Sequence, residues 1–437
     1  MSDSGHLTPV RASDRANPAG IFHGWRVVGG TFAVLCVGFG VAYCFPAFFL
    51  PLQHQFGARR GDVSLVFAIA GGLYFSIGLF SGALADKVGP RWIVAGGLTL
   101  VALGLLVAAR AEALWQIYVG YGLGVGVGVG CAYVPAIAAV QRWFVRGRGF
   151  ASGIAISGIG VGTMAAAPLA KLAIDAWGWR TTYDILAALA LLTAAYAAFA
   201  VLRAPEHYGQ RPDGDPEPNP HGGYNPATIP TAPNPQAGDS LAAAARTGPF
   251  WLLFAACALN SFGLFIPFVH LVPYARDAGL SEGFGVVLVT LLGVGSTVGR
   301  FAFAGMAQRL GRKRAYAAMF VGTGCMQLLW AVTGHPWALA VFALLFGAFY
   351  GGFVAMAPSI MADYFGLKAL GAVLGAQYAS VAIGVLLGPP VAGFLFDFSG
   401  IYLAAILVGA ALAFAGAVLV VLCPEPGPWR RARDAAG

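Results

Sequence analysis

Charged residues are scarce in this chain: Asp, Glu, Lys and Arg make up 10% of its 437 residues, whereas 58% are hydrophobic. Soluble proteins carry about 25% charged residues, so this composition excludes a water-soluble globular protein. The six cysteines form no CxxC pair, and the sequence therefore indicates neither a disulfide framework nor a metal site. The polar N-terminal stretch lacks the apolar region of a signal peptide, and we expect it to be a loose cytoplasmic tail.

The chain is rich in long runs of apolar residues. Windows of about 20 apolar residues, the length that crosses a bilayer, predict twelve helices, at 26–50, 63–85, 92–110, 113–140, 150–172, 184–202, 250–275, 284–308, 315–333, 337–362, 369–395 and 401–422. The chain is therefore predicted to be an all-α protein embedded in the lipid bilayer. Its net charge of +8 comes from basic loops, which the positive-inside rule places in the cytoplasm with both termini. We expect a plasma membrane, specifically a bacterial inner membrane, and no nucleic-acid partner.

The two halves of the chain repeat each other at an offset of 222 residues: Pro168 and Asp175 recur as Pro390 and Asp397. The repeat predicts two six-helix bundles with a tail at each end, at 1–23, 24–203, 246–423 and 424–437. Residues 204–245, between the bundles, are rich in proline and are predicted to form a flexible cytoplasmic linker. Transporters built from parallel repeats bind substrate between the repeats near the membrane midplane.

Two segments resemble signatures of a known transporter family. Residues 82–91, GALADKVGPR, resemble the loop between the second and third helices of the major facilitator superfamily. Residues 143–162, WFVRGRGFASGIAISGIGVG, resemble the helix 4–5 signature of its monocarboxylate transporter branch, which also contains oxalate/formate-type antiporters. The resemblance implies the major facilitator fold. It also implies that Gly82, Asp86 and Arg91 belong to a cytoplasmic gate, the alternative being that these charges only set the topology.

Arg300 is the candidate substrate anchor. It lies in Phe284–Gln308, an otherwise uncharged segment, and its neighbours one turn away are Ser296 and Ala304. A charge at this depth costs about 2.5–3.5 kcal/mol, so a cation without an adjacent acid indicates an anionic partner from outside. The planar guanidinium holds a carboxylate with two hydrogen bonds. The alternative is an arginine that reaches the cytoplasmic surface or has a structural partner.

Four further side chains are candidates for the binding site. His270 has an ordinary pKa near 6.5 and is a candidate for binding the substrate and for carrying a proton; alternatively it is neutral and bonds a backbone carbonyl freed by Pro273. The phenols of Tyr133, Tyr350 and Tyr378 are candidates for binding the substrate, the alternative being core or interfacial packing. Asn260 and Gln377 are weaker candidates.

The function predicted from these features is secondary active transport of a small monocarboxylate such as lactate or pyruvate. The chain contains no ATP motif, so an ion or substrate gradient must drive the transport, and we expect proton coupling. We expect a monomer that works by alternating access, without a cofactor and without enzymatic activity. The alternatives are a dicarboxylate or formate-type antiporter, an efflux carrier for another organic anion, and a membrane sensor on the same fold.

Overall fold

The computed structural model describes residues 22–144, 148–202, 204–214, 238–366, 368–427 and 429. Eleven helical segments in these ranges are long and apolar enough to cross a membrane. One of them, Arg148–Ala200, has 53 residues and a non-helical break at Gly178. At 1.5 Å per residue it is about 80 Å long, more than twice the thickness of a hydrocarbon core of about 30 Å. It therefore crosses twice, and the described chain has the twelve predicted crossings.

We number the crossings α1 to α12. In the first half they are α1 (Gly24–Tyr43 and Phe45–Phe56), α2 (Arg60–Val88), α3 (Pro90–Ala109), α4 (Leu114–Trp143), α5 (148–177) and α6 (179–200). In the second half they are α7 (Gly248–Leu264 and Pro267–Asp277), α8 (Glu282–Leu310), α9 (Arg312–Val332), α10 (Pro336–Phe365), α11 (Leu370–Ser399) and α12 (Leu403–Leu422). Most of the predicted linker and parts of both tails lie outside the described residues.

The stretch between the apolar windows at 150–172 and 184–202 is also helical. The helix continues through this stretch and is interrupted only at Gly178, which has φ 81°. Asp175 and Arg180 lower the hydropathy of the stretch, but charged side chains are compatible with a helix where it leaves the hydrocarbon core. A single residue turns the chain because glycine adopts positive φ without a steric penalty.

Helices α1 and α7 are both broken near their middle, at the prolines that predict a bend there. In α1 the break is at Cys44, just before Pro46, and in α7 it is at Phe265 and Ile266, just before Pro267. Proline cannot donate the helical hydrogen bond and clashes with the preceding turn. The breaks occupy equivalent places in the two repeats.

Alternating glycines allow α4 to pack closely against two neighbours at once. A Cβ added at Gly120, Gly124 or Gly128 would lie 2.5–2.7 Å from a backbone atom of α3, and one added at Gly126 would lie 2.9 Å from the backbone of α2. The run predicts close helix packing without forming a single stripe. The structure resolves it into two stripes with i, i+4 spacing, one for each neighbouring helix.

The two halves meet along α2 with α11 and along α5 with α8. We call the end that carries residues 57–59 and 278–281 the distal end, and the end that carries the chain termini the proximal end. At the distal end Gly61 of α2 lies against Gly393 and Phe394 of α11, and Lys171 of α5 pairs with Glu282 of α8 at 3.7 Å. Two ion pairs that join the halves, Arg60–Asp277 and Lys171–Glu282, are both at the distal end. The structure is therefore closed at this end.

Candidate functional site

A small cavity lies between the two halves and is lined by both of them. The void is about 20 Å³, which holds about one water molecule, so a three-carbon acid requires the side chains to move apart. Its lining is aromatic and aliphatic apart from one guanidinium and four phenols. The lining residues are Phe39, Tyr43, Phe75, Tyr133, Ile159, Phe265, Arg300, Tyr350, Phe353, Val354, Tyr378 and Val381.

Arg300 projects from α8 into this cavity and contacts the other half of the molecule. Its Nη1 donates to the carbonyl oxygen of Ile156 on α5 at 2.8 Å. Its Nε and Nη2 are buried and have no hydrogen-bond partner. These two nitrogens form one edge of the guanidinium, the edge that binds a carboxylate side-on with two parallel hydrogen bonds. A buried donor without a partner costs about 1–3 kcal/mol, so this edge is a favourable place for an anion.

The three predicted tyrosines line the same cavity as Arg300. Tyr350 of α10 shares a hydrogen bond of 2.8 Å with Tyr43 of α1, so a pair of hydroxyls joins the two halves. Tyr43 was not among the predicted site residues. The sequence feature that could have identified it is its position immediately before the proline break of α1, where the two halves meet.

Phenylalanines form the walls between these polar groups. The ring of Phe39 lies 5.2 Å from that of Tyr133, and the ring of Phe75 lies 5.9 Å from that of Tyr378. Their role was missed because one phenylalanine among 31 carries no distinguishing signal. The two weaker candidates are not in the cavity lining. Asn260 is buried with both amide atoms unpaired, and Gln377 donates to the carbonyl of Leu253.

His270 is fully buried, but it lies apart from the cavity lining, towards the distal end. Its Nε2 is 2.8 Å from the carbonyl oxygen of Pro389, and its Nδ1 is 3.1 Å from the hydroxyl of Tyr402. A carbonyl only accepts, so Nε2 carries a proton. The hydroxyl of Tyr402 already accepts from Arg60, so the contacts suit a neutral imidazole in which Tyr402 donates to Nδ1. It does bond a backbone carbonyl, but one of α11 and not the carbonyl freed by Pro273 in its own helix.

A buried arginine at the distal end is more fully paired than Arg300. Arg60, 5% exposed at the start of α2, forms a two-pronged ion pair with Asp277 at the end of α7, in which Nη2 lies 2.8 Å from Oδ1. Its guanidinium also stacks 3.9 Å from the ring centre of Phe396. Asp397 accepts the backbone N–H groups of Arg60 and Gly61 at 3.0 and 2.9 Å. The signal for this cluster was Asp397, which the repeat had singled out.

The predicted proximal gate is only partly described. The side chain of Asp86 lies outside the described residues. The guanidinium of Arg91 lies 5.0 Å from the ring centre of Trp92, and Gly82 faces Val134 of α4 within its own half. The gating role of these three residues therefore stays a prediction.

The chain matches a family model and a set of named relatives. The model described as Major Facilitator Superfamily matches residues 30–305 and 282–436. The chain is 29% identical over 413 residues to "Monocarboxylate transporter 13" of Bos taurus, covering 94% of this chain and 92% of the relative. It is 29% identical over 410 residues to "Monocarboxylate transporter 4" of Rattus norvegicus, with 91% and 82% covered. It is 28% identical over 420 residues to "Monocarboxylate transporter 11" of Homo sapiens, with 93% and 84% covered.

These matches agree with the architecture of two six-helix repeats and with the signatures at 82–91 and 143–162. They also agree with the prediction that the chain is not an enzyme, since the relatives are named as transporters. The chain belongs to the Major Facilitator Superfamily and is a membrane transporter.

Proposed function

We propose that this protein is a proton-coupled transporter of a small organic monocarboxylate, and that the free edge of Arg300 binds the carboxylate. The supporting observation is the pair of buried, unpartnered donors, Nε and Nη2, in a cavity between the two halves. Alternating access requires a site that both halves share. Because Nη1 is already bonded to Ile156 on α5, a carboxylate bound to the other edge of Arg300 joins this contact without displacing it.

The composition of the cavity favours an anion with one charge and an apolar body. Arg300 is the single charged side chain in the described lining. A dicarboxylate would favour a second cation, because an unpaired buried charge is costly. Walls of phenylalanine, valine and isoleucine suit a short carbon chain better than an inorganic anion. The names of the relatives support a monocarboxylate.

The phenols around Arg300 supply the remaining hydrogen bonds. In the Tyr43–Tyr350 pair one hydroxyl donates to the other, so one O–H remains free to donate to a ligand. Tyr133 and Tyr378 lie on the same cavity from α4 and α11. We propose that these four groups orient the acid and select its substituent. Because the pair joins α1 to α10, an acid that accepts from its free O–H is held where the two halves meet.

The proton has two proposed carriers, His270 and the carboxyl group of the substrate. The family resemblance places an acid one turn before the anchoring arginine, but this chain has Ser296 there, buried and with an unpartnered Oγ. No Asp or Glu belongs to the described cavity lining. A proton-coupled mechanism therefore has to use a group outside the lining or the cargo itself. By the positive-inside rule the proximal end is cytoplasmic, and we propose a plasma-membrane location.

The test is uptake of labelled lactate and pyruvate into proteoliposomes, with and without an inward proton gradient. We expect saturable uptake that the gradient stimulates. Arg300→Ala should abolish it while the protein still inserts, and Arg300→Lys should restore only part of it, because lysine keeps the charge but not the fork. The matched control is Arg246→Ala, an exposed arginine near the start of α7. Uptake by Arg300→Ala at the normal rate would contradict the anchor. Absence of saturable uptake across a panel of organic anions would favour the sensor.

A further inference from the structure

We propose that Arg60 and Asp277 form a latch that holds the distal end closed, and that His270 makes this latch sensitive to protons. The latch does not depend on which anion the protein carries. Arg60 belongs to the first half and Asp277 to the second. Separation of the two halves at the distal end therefore has to break this pair.

The burial and geometry of the Arg60–Asp277 ion pair favour a stable contact. Arg60 is nearly buried, donates to both oxygens of Asp277 and stacks on Phe396. A buried pair stabilises a closed interface only when its geometry is good and the remaining donors are satisfied. Here one further donor is used as well, because Nη1 also donates to the hydroxyl of Tyr402 at 2.8 Å. Truncation of either partner leaves a charge without compensation at a closed interface.

The start of α2 depends on the second half of the molecule. The side chain of its N-cap residue, Arg59, makes no capping hydrogen bond. Instead Asp397 of α11 accepts the backbone N–H groups of Arg60 and Gly61. A carboxylate at this position also interacts favourably with the helix dipole. Opening therefore removes the cap of a helix and the partner of Arg60 together, which makes the distal end a two-state element.

A chain of hydrogen bonds leads from the latch to His270. Arg60 donates to the oxygen of Tyr402, Tyr402 donates to Nδ1 of His270, and Nε2 of His270 donates to the carbonyl of Pro389. Ser64 also lies 3.1 Å from Nε2 and donates to the carbonyl of Arg60. Both ring nitrogens of the neutral imidazole therefore have hydrogen-bond partners.

A proton on Nδ1 would conflict with the closed arrangement. The hydroxyl of Tyr402 would have to turn its own proton away and would then lie between two cations, the imidazolium and Arg60. The groups around the imidazole are Arg60 and Ser64 of α2, Tyr402 before α12, the Pro389 carbonyl of α11 and the ring of Phe49 of α1. The acids of the cluster, Asp277 and Asp397, bind Arg60 and its backbone and do not contact His270. The closed distal end is therefore favoured at high pH and weakened as pH falls.

The chain contains a matched control for the latch. Arg59 directly precedes Arg60, but its Nε pairs at 3.1 Å with Asp62 of the same half. Its side chain is 70% exposed. Neutralisation of Arg59 changes the local charge as much as neutralisation of Arg60, but it breaks no ion pair between the halves.

The experiment measures the distance between spin labels by pulsed electron resonance in substrate-free protein in nanodiscs. The labels are placed at Glu112→Cys and His335→Cys, two exposed positions in the distal loops, one in each half. The six native cysteines are replaced beforehand. Distances are recorded at about pH 5.5 and about pH 8, on either side of the ordinary histidine pKa near 6.5.

We expect the wild type to show mostly the short distance at high pH and a larger long-distance population at low pH. Arg60→Gln and Asp277→Asn should increase the long-distance population several-fold at high pH, whereas Arg59→Gln should match the wild type. Tyr402→Phe and His270→Gln should keep the short distance at high pH and lose the response to pH. Size-exclusion profiles confirm that each variant is folded, and Asp277→Asn tests the latch independently if Arg60→Gln is not.

Two results would overturn the proposal. Unchanged distances in Arg60→Gln and Asp277→Asn, or an equal shift in Arg59→Gln, would remove the latch. A wild-type distance that does not respond to pH would remove the proton sensor. Failure of monocarboxylate uptake would leave these distances as they are, so the transport proposal and the latch fail separately.

Discussion

Arg60 and Arg300 lie between the same two halves of one protein, and they differ in what their donors bind. Arg60 bonds Asp277 and Tyr402 and stacks on Phe396. Arg300 bonds one carbonyl and leaves Nε and Nη2 unpaired. A satisfied arginine stabilises the arrangement that satisfies it, whereas an unsatisfied one favours any ligand that completes it. On the two proposals above, Arg60 holds a conformation and Arg300 binds the transported anion.

The largest expected effect is on substrate affinity and comes from substitution of Arg300, whose donors are not all satisfied. Arg300→Ala removes the only cation of the described cavity lining, and loss of one partner of a buried charged contact costs about 2–5 kcal/mol. We expect a fall in substrate affinity of at least about thirtyfold. Equilibrium binding of labelled pyruvate to detergent-purified protein would measure it. An unchanged dissociation constant would remove the distinction between the two arginines.

The second-largest expected effect is on the ratio of the two conformations and comes from substitution of Asp277, the partner of Arg60. Asp277→Asn leaves Arg60 with an uncharged acceptor at the closed distal end. The expected cost to that state is about 1–3 kcal/mol, which changes the ratio of the two conformations by roughly 5- to 150-fold. Substrate exchange should slow while binding to purified protein stays within a few-fold of the wild type. A loss of binding as large as that of Arg300→Ala would show that the two regions are not separate.

A smaller effect on substrate affinity is expected from the hydroxyl pair of Tyr43 and Tyr350. Tyr350→Phe removes one hydrogen bond to Tyr43 and one candidate donor to the carboxylate. A neutral hydrogen bond contributes about 0.5–1.5 kcal/mol, so we expect affinity for a 2-hydroxy acid to fall by about two- to tenfold. Competition of lactate and propionate against labelled pyruvate would resolve this. Equal losses for both acids would assign the phenol to the carboxylate alone.

The smallest effect should come from the neighbour of Arg60. Arg59 lies on the surface, pairs with Asp62 of its own half and lies 5.8 Å from the ring centre of Phe394, and exposed ion pairs contribute little. We expect Arg59→Gln to transport at the wild-type rate in the proteoliposome assay. A clear loss of uptake in this variant would mean that charge at the distal end matters irrespective of pairing, and the comparison with Arg60 would then fail.

The fold was accessible from the sequence because length, hydropathy and the repeat are sums over many residues. The details that escaped depend on single residues. Hydropathy does not reveal that Gly178 alone turns the chain, since that depends on φ. It does not sort the glycines of α4 into two stripes, since that depends on which helices lie on either side.

Site residues were predicted where a polar or charged side chain is unusual in an apolar helix. They were missed where the side chain looks like ordinary core. Arg300 and the three tyrosines stand out as polar groups in apolar helices, and they line one cavity. The wall residue Phe75 and the hydroxyl partner Tyr43 look like ordinary core. Arg60 looked like a loop residue because its partners are more than 200 positions away along the chain. His270 was identified as unusual, but its neighbours are set by how α2 and α11 meet.

The single-glycine turn at Gly178 has a mechanical consequence. A bundle whose helices are joined by long loops permits each helix to slide or tilt separately, since the loops take up the slack. Here α5, which carries the Ile156 carbonyl that meets Arg300, is tied to α6 with no spare residue between them. A displacement of α5 at the cavity therefore also displaces the start of α6, so the two helices move together as one unit of the first half.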